Sequence, residues 1–210
     1  MVRSTLKSIT LFAGRVAVAP VLAAFALCSV VVGRNRAIQG PSQFLSLAPG
    51  IVGVILRRAF YSVSLANCHS SVTIGFGTLF SKADISIGRH VYIGAMCHLG
   101  WVDLADDVLL ASGVHIPSGP NTHGTDRIDV AIREQPGRLR RIHIGKGTWI
   151  GSNAVILADV GRDCVIAAGA VVTRPIPDYS IAAGVPARVL RDRRESTAES
   201  TDSNLPFPRA

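Results

Sequence analysis

Aromatic residues are scarce in this chain. They make up 6% of its 210 residues, which excludes a core of stacked rings and leaves the interior to Val, Ile, Leu and Ala. Cysteines are few as well. Cys28, Cys68, Cys97 and Cys164 stand far apart, in no spacing that would clasp a metal or frame a disulfide scaffold. Cys164 falls in a turn of a repeat and Cys28 in an apolar run, where packing is the ordinary role. A reducing, cytosol-facing compartment is the simplest setting for such a set. The basic residues have no interleaved aromatics and no nucleic-acid motif accompanies them, so the net charge of +8 does not point to a nucleic-acid partner.

Apolar aliphatic residues are abundant. The hydrophobic fraction is 48% and the mean hydropathy +0.35, high for a purely soluble chain whose length allows one compact domain plus appendages. From Ile144 onward the apolar residues keep a fixed step. Ile144, Ile150 and Ile156 stand six apart, and after one short step Val160, Ile166 and Val172 continue the series. A helix needs a period near 3.6 and a lone strand a period of 2. A period of six fits a strand-and-turn unit stacked along a solenoid, with an aliphatic residue inward, a small one where coils pass closely and a polar turn.

An earlier array, Ile74, Phe80, Ile87, Ile93, Leu99, Leu104, Leu110 and Ile116, steps by six with one seven and one five. Between the arrays, Pro117 to Arg141 has no period and is rich in Gly, Pro and charge. It reads as a loop leaving and rejoining the solenoid, and loops this long inside a domain are often functional.

The first 60 residues are different material. Val16 to Gly33 is an uncharged run of about 18 residues, at the lower edge of membrane-spanning length. Arg3, Lys7 and Arg15 precede it, Arg34 and Arg36 follow, and a second apolar run, Phe44 to Leu56, ends at Arg57 and Arg58. Basic flanks on both sides give no orientation. A cleaved leader lacks a small-residue cleavage site here. A spanning helix stays open; a hairpin or interfacial anchor built from both runs is preferred. The bland alternative is an apolar helix packed on the solenoid. The expected division is therefore 1–60 as a membrane-associating helical region, 61–191 as the solenoid with its loop at 117–141, and 192–210 as a disordered polar tail.

Three blocks, WIGSNAVIL (Trp149 to Leu157), IAAGAVVTR (Ile166 to Arg174) and AAGVPARVLR (Ala182 to Arg191), resemble the hexapeptide-repeat acyltransferases, most closely their galactoside, maltose and nodulation acetyltransferase branch. The resemblance implies a mainly β fold, a left-handed parallel β-helix, which would depart from the right-handed crossover rule. It also implies a homotrimer and acyl transfer from acetyl-CoA, without a metal, to a sugar hydroxyl. An acceptor that is a lipid-linked or surface saccharide would explain an anchor at the cytoplasmic face of a membrane. Anionic headgroups and a polyphosphorylated donor would explain where the basic residues gather.

A sugar hydroxyl needs a base as it attacks, and histidine titrates in the right range. His69, His90, His98, His115, His123 and His143 are available. The branch keeps its catalytic histidine in the excursion loop, which selects His123, with Asp126 or Glu134 to orient it. His115 is the second candidate, as a substrate-binding residue. Cys97 beside His98 is a weaker thiol-nucleophile pair. By resemblance, Ser152 lies beside the thioester, and Trp149 matches the WIG block or packs a coil. Gly151, Ala168 and Gly169 offer exposed backbone to pantetheine, while Thr173, Arg174, Arg188 and Arg191 meet the phosphates, arginine pairing with phosphate in fork geometry. The family block after WIG is longer by about two residues, so the coil is expected to tighten after ILADV. Rival readings are an N-acyltransferase or serine-type enzyme, a zinc-dependent carbonic-anhydrase-like β-helix drawing on His115 and His123, and a non-catalytic membrane scaffold.

Overall fold

The periodic residues close into a parallel β-helix. A computed structural model describes residues 2–195; the remainder of the expected tail, 196–210, lies outside the described residues. The first coil consists of β1 (Asn67–Cys68), β2 (Thr73–Ile74) and β3 (Leu79–Phe80). The second holds β4 (Ser86–Ile87), β5 (Tyr92–Ile93) and β6 (His98–Leu99), and the third β7 (Val102–Leu104), β8 (Leu109–Leu110) and β9 (His115–Ile116). After the excursion come β10 (Ile142–Ile144), β11 (Trp149–Ile150) and β12 (Val155–Ile156), then β13 (Val165–Ile166), β14 (Val171–Val172), β15 (Ser180–Ala183) and β16 (Arg188–Asp192). Successive coils stack into three sheets, ordered β1-β4-β7-β10, β2-β5-β8-β11-β13-β15-β16 and β3-β6-β9-β12-β14.

A short strand sends one side chain in and the next out. Every hexad residue of both arrays points inward and is at most 2% exposed. Burying an aliphatic side chain this fully is worth about 1.5–3 kcal/mol, repeated once per side of each coil. The outward residues give the three faces different characters. The first carries Asn67, Ser86, Asp103 and His143; the second Tyr92, Leu109, Trp149 and Val165; the third Leu79, His98, His115 and Val155.

The expected tightening occurs where the family block is short. Beyond β10 the first sheet shrinks to single bridges, Ile144 to Val160 and Val160 to Ile176. The C-terminal end also differs from expectation. After β15 the chain reverses at Gly184 (φ +99°), and β16 pairs antiparallel to β15. Residues 192–195 are not a loose tail. The Arg193 N–H donates to the Tyr179 carbonyl at 2.6 Å, and Arg194 stacks on the Tyr179 ring at 4.5 Å while pairing with Asp192.

The N-terminal region folds as α1 (Val2–Ala17), α2 (Ala19–Val32), α3 (Arg34–Ala37), α4 (Gln39–Ser46) and α5 (Gly50–Ser64). The solenoid therefore starts near Asn67, slightly later than residue 61. Both apolar runs are broken. Pro20 opens α2, fitting the first helical turn where its missing N–H costs nothing. Pro49, extended, separates α4 from α5. Among the described residues no single helix is long and apolar enough to cross a membrane, and Thr10–Ala17 meets Ala19–Val32 at a 57° bend. The 14 residues of α2 rise about 21 Å, short of a hydrocarbon core of about 30 Å.

Part of this region caps the open end of the β-helix, as solenoid termini require. Arg57, read from the sequence as a basic flank, is instead completely buried. Its guanidinium donates to the Ile74 carbonyl at 3.0 Å and to the Leu45 and Ala48 carbonyls at 3.0 and 2.7 Å. One cation thus satisfies the carbonyl end of α4 and fastens both helices to β2. Beside it, the Tyr61 hydroxyl donates to Ser42 Oγ, which accepts the Phe80 N–H. The Asn35 side-chain oxygen accepts the Ala83 N–H at 2.9 Å.

Candidate active site

The excursion loop is folded, although its sequence has no period. Its two arms lie against each other: the Arg138 N–H donates to the Asn121 carbonyl at 2.7 Å and the Arg140 N–H to the Ser118 carbonyl at 2.8 Å. A Cβ at Gly137 would stand 2.1 Å from the Thr122 carbonyl oxygen and 2.9 Å from the His123 nitrogen, so only glycine lets the arms approach here. The tip wraps around buried Gln135. Its side chain donates to the Arg127 and Val130 carbonyls and accepts the Arg127 N–H.

The returning arm is anchored by two arginines. Arg141 pairs with Asp84 at 2.6 Å and Asp103 at 3.1 Å, bridging two coils, and stacks on Trp101 at 4.8 Å. Arg140 pairs with Asp159. His143 stands beside Asp103 at 3.5 Å, on the polar first face. Sequence reasoning missed Gln135, Arg140, Arg141 and Trp101. The pair Gly124 and Gly137 was the available signal for crossing arms; the ion pairs join positions far apart in the chain and leave no local trace.

His123 is exposed in this loop. It lines a small cavity of about 150 Å³ with Asn121, Thr125, Asp126, Pro136 and Arg138. Asp126 shares the cavity, whereas Glu134 lies beside Arg133 at 3.5 Å. Of the two carboxylates, Asp126 is the one that shares this cavity with the ring.

His115 is on β9, facing outward, one residue before the buried Ile116. Its ring stacks on His98 of the coil below, centroids 5.2 Å apart. Partial burial, and then the neighbouring His115, lower the pKa of His98. Cys97 and His98 form no dyad. Adjacent strand residues point to opposite faces, and Cys97 is 1% exposed inside the core, where burial raises its thiol pKa.

The second group is a coil corner between the second and third faces. Trp149 faces outward from β11 and is 50% exposed, so it is not a coil-packing aromatic. Ser152 sits in the turn that follows, half-buried, and its carbonyl accepts the Gly169 N–H at 2.8 Å. A Cβ at Gly151 would meet the Ala168 nitrogen at 2.5 Å, while Gly169 (φ +69°) faces open space. Small residues here keep the coils close and their backbone bare. The corner neighbours His115 through the chain, since the Asn153 N–H donates to Ser112 and the His115 N–H to Ala154.

The third group is cationic. Thr173 and Arg174 follow β14, and Arg188 and Arg191 ride on β16; all four are exposed. Arg162 and Arg194, by contrast, are occupied by Asp178 and Asp192. The cavity lined by His123 contains neither Ser152 nor His115. Among the described residues no cluster of three His, Cys, Asp or Glu could hold a metal.

Comparison with known proteins agrees with the fold and with the three blocks. The family model described as bacterial transferase hexapeptide (six repeats) matches residues 141–174. The galactoside O-acetyltransferase of Escherichia coli is 38% identical over 118 residues, 52% of this chain and 55% of that protein. Among solved structures, a maltose O-acetyltransferase from Clostridium difficile superposes with a TM-score of 0.67 at 20% identity, covering 77% of this chain and 88% of the other. A galactoside acetyltransferase in complex with coenzyme A gives 0.61 at 24% identity, covering 76% and 80%. Residues 141–174 thus match the hexapeptide-repeat model, and the solved structures share the parallel β-helix fold. The chain spans from 32% to 59% of the length of the first curated relatives it matches.

Proposed function

We propose that this protein transfers the acetyl group of acetyl-CoA to a hydroxyl of a saccharide, at the cytoplasmic face of a membrane. The observation that carries the reading is the corner at Gly151, Ser152, Ala168 and Gly169. Bare backbone opens there beside an outward Trp149, a surface suited to a narrow amide-bearing arm. Relatives named galactoside O-acetyltransferase, 29% and 38% identical, support the same chemistry.

In this reading His123 Nε2 or Nδ1 takes the proton of the acceptor hydroxyl as its oxygen attacks the thioester carbonyl. A donor near Ser152 stabilises the negative oxygen of the tetrahedral intermediate. Collapse breaks the C–S bond, and the proton held by the imidazolium passes to the departing sulfur, leaving the acetyl ester and free coenzyme A. Thr173, Arg174, Arg188 and Arg191 hold the donor phosphates. Asp126 keeps the ring oriented, and His115 contacts the acceptor. His123 and Ser152 line different places in one chain; in this reading they meet across a subunit boundary, in a trimer whose apolar second face, Tyr92, Leu109 and Trp149, packs against a neighbour.

The test follows thiol release from acetyl-CoA by full-length protein in detergent, with free sugars, lipid-linked saccharides and amino sugars as acceptors. Sugar-dependent release with an ester product supports the reading. An amide product would turn it to N-acylation. Absence of both release and acetyl-CoA binding would leave a scaffold.

A further inference from the structure

The full sequence contains no Asp or Glu before Asp84, while Arg3, Lys7, Arg15, Arg34, Arg36, Arg57, Arg58 and Lys82 all precede it. Those eight cations account for the whole net charge, because the remaining 22 − 8 = 14 basic residues equal the 14 acidic ones. Within this unbalanced region lies α2, which is apolar on every side yet buries only Phe25 of its 14 residues. A helix of that composition is ordinarily covered all round. Here Leu27, Val30 and Val31 are 71%, 86% and 79% exposed, the kind of surface that marks an interaction site.

The exposed side contains a groove of about 590 Å³ between α2 and the end of α5, lined by Leu22, Phe25, Ala26, Val30, Val63 and Arg34. The Arg34 guanidinium lies 5.6 Å from the Phe25 ring centroid and donates to the Ser64 carbonyl at 2.9 Å. These contacts fix the cation in place and leave most of its N–H groups to a ligand. An apolar slot with one held guanidinium in its wall complements a hydrocarbon chain that carries a phosphate. A second copy of this chain fits poorly, since it would set one acid-free basic surface against another.

We infer that the groove is a binding site for a single anionic phospholipid, with an acyl chain along α2 and α5 and the headgroup phosphate on Arg34. The inference rests on the membrane-surface part of the proposed function and adds a defined lipid to it.

Full-length protein is bound to vesicles of phosphatidylcholine alone and of phosphatidylcholine with phosphatidylglycerol, and lipid retained per protomer is read by native mass spectrometry. Arg34→Gln is compared with Arg36→Gln, which removes the same charge outside the groove, and with Ala26→Trp, which fills the groove without changing charge. Diffuse surface attraction is worth about fivefold in affinity for one cation. The expected result is a loss of more than about tenfold for Arg34→Gln, beyond that diffuse figure. Ala26→Trp should show a similar loss, with retained phospholipid absent from both variants and restored in Arg34→Lys. Equal small losses in Arg34→Gln and Arg36→Gln, or an unaffected Ala26→Trp, would overturn the site in favour of diffuse attraction. Retention of a prenyl phosphate in place of phospholipid would also overturn it. Thermal melts confirm folding of each variant. Thiol release with a soluble sugar is measured alongside, so that loss of the lipid site and failure of the enzymatic reading are seen separately.

Discussion

The β-helix and the helical region that precedes it satisfy their apolar residues in opposite ways. In the β-helix every hexad side chain is buried by the coils themselves, and acidic and basic residues balance from Asp84 onward. The helical region is finished on one side only. Arg57, Tyr61 and Asn35 lock α3, α4 and α5 onto the first coil, whereas α2 presents exposed valines and no carboxylate accompanies its cations. A structure closed on one side and apolar and basic on the other fits the proposed contact with an anionic lipid surface. In the proposed reading the first region carries the chemistry and the second positions it.

The sharpest way to break this contrast is at the joint. Arg57→Met strands the Ile74 and Ala48 carbonyls and leaves the Leu45 carbonyl with only the Ala48 N–H, a loss of roughly 2–6 kcal/mol. A chemical denaturation curve should then show the helices leaving before the β-helix; a single unshifted transition would remove Arg57 from this role. Next comes a matched pair, one aliphatic residue from each region. Ile150→Ala opens a cavity in the β-helix and costs about 2–5 kcal/mol. Val31→Ser, on exposed α2, should change aqueous stability by less than about 0.5 kcal/mol while weakening binding to anionic vesicles. Equal destabilisation by the two would mean that α2 is covered within the protein.

The legible part of the fold was the part whose contacts repeat. The hexads from Ile74 to Val172, the excursion at 117–141 and the tightening after ILADV all follow from spacing, because each coil contacts only its neighbours. The Trp149 to Leu157 block placed the coil corner for the same reason. The helical region was harder to read. Hydropathy sums over a run, so Val16 to Gly33 appeared continuous although the chain turns between α1 and α2. Arg57 looked like a flank because charge gives no indication of burial, and only the carbonyls of Leu45, Ala48 and Ile74 explain its position. The loop hid its order for a related reason. Gln135 and Arg141 act through partners distant in sequence. His98 was passed over because its relation to His115 exists only once coils stack.

That stack gives the smallest prediction. The pKa of His98 is depressed by partial burial and then by His115, so the unfolded chain takes up its proton at a higher pH than the folded one. The contribution of His98 is therefore favourable above the ordinary histidine range and is lost as pH falls from about 6.5. His98→Asn should flatten the slope of stability against pH below that point. An unchanged slope would exclude His98 as its source.

The most direct measurement is the rate of acceptor-dependent thiol release from acetyl-CoA by full-length wild type and by His123→Ala, with His115→Ala as the comparison. A positioned base is worth about 10²–10⁴ in rate. The predicted result is a fall of at least about a hundredfold for His123→Ala, with acetyl-CoA binding and the melting curve unchanged. A rate that survives in His123→Ala and collapses in His115→Ala would move the base to the third face of the β-helix and contradict the assignment of the loop.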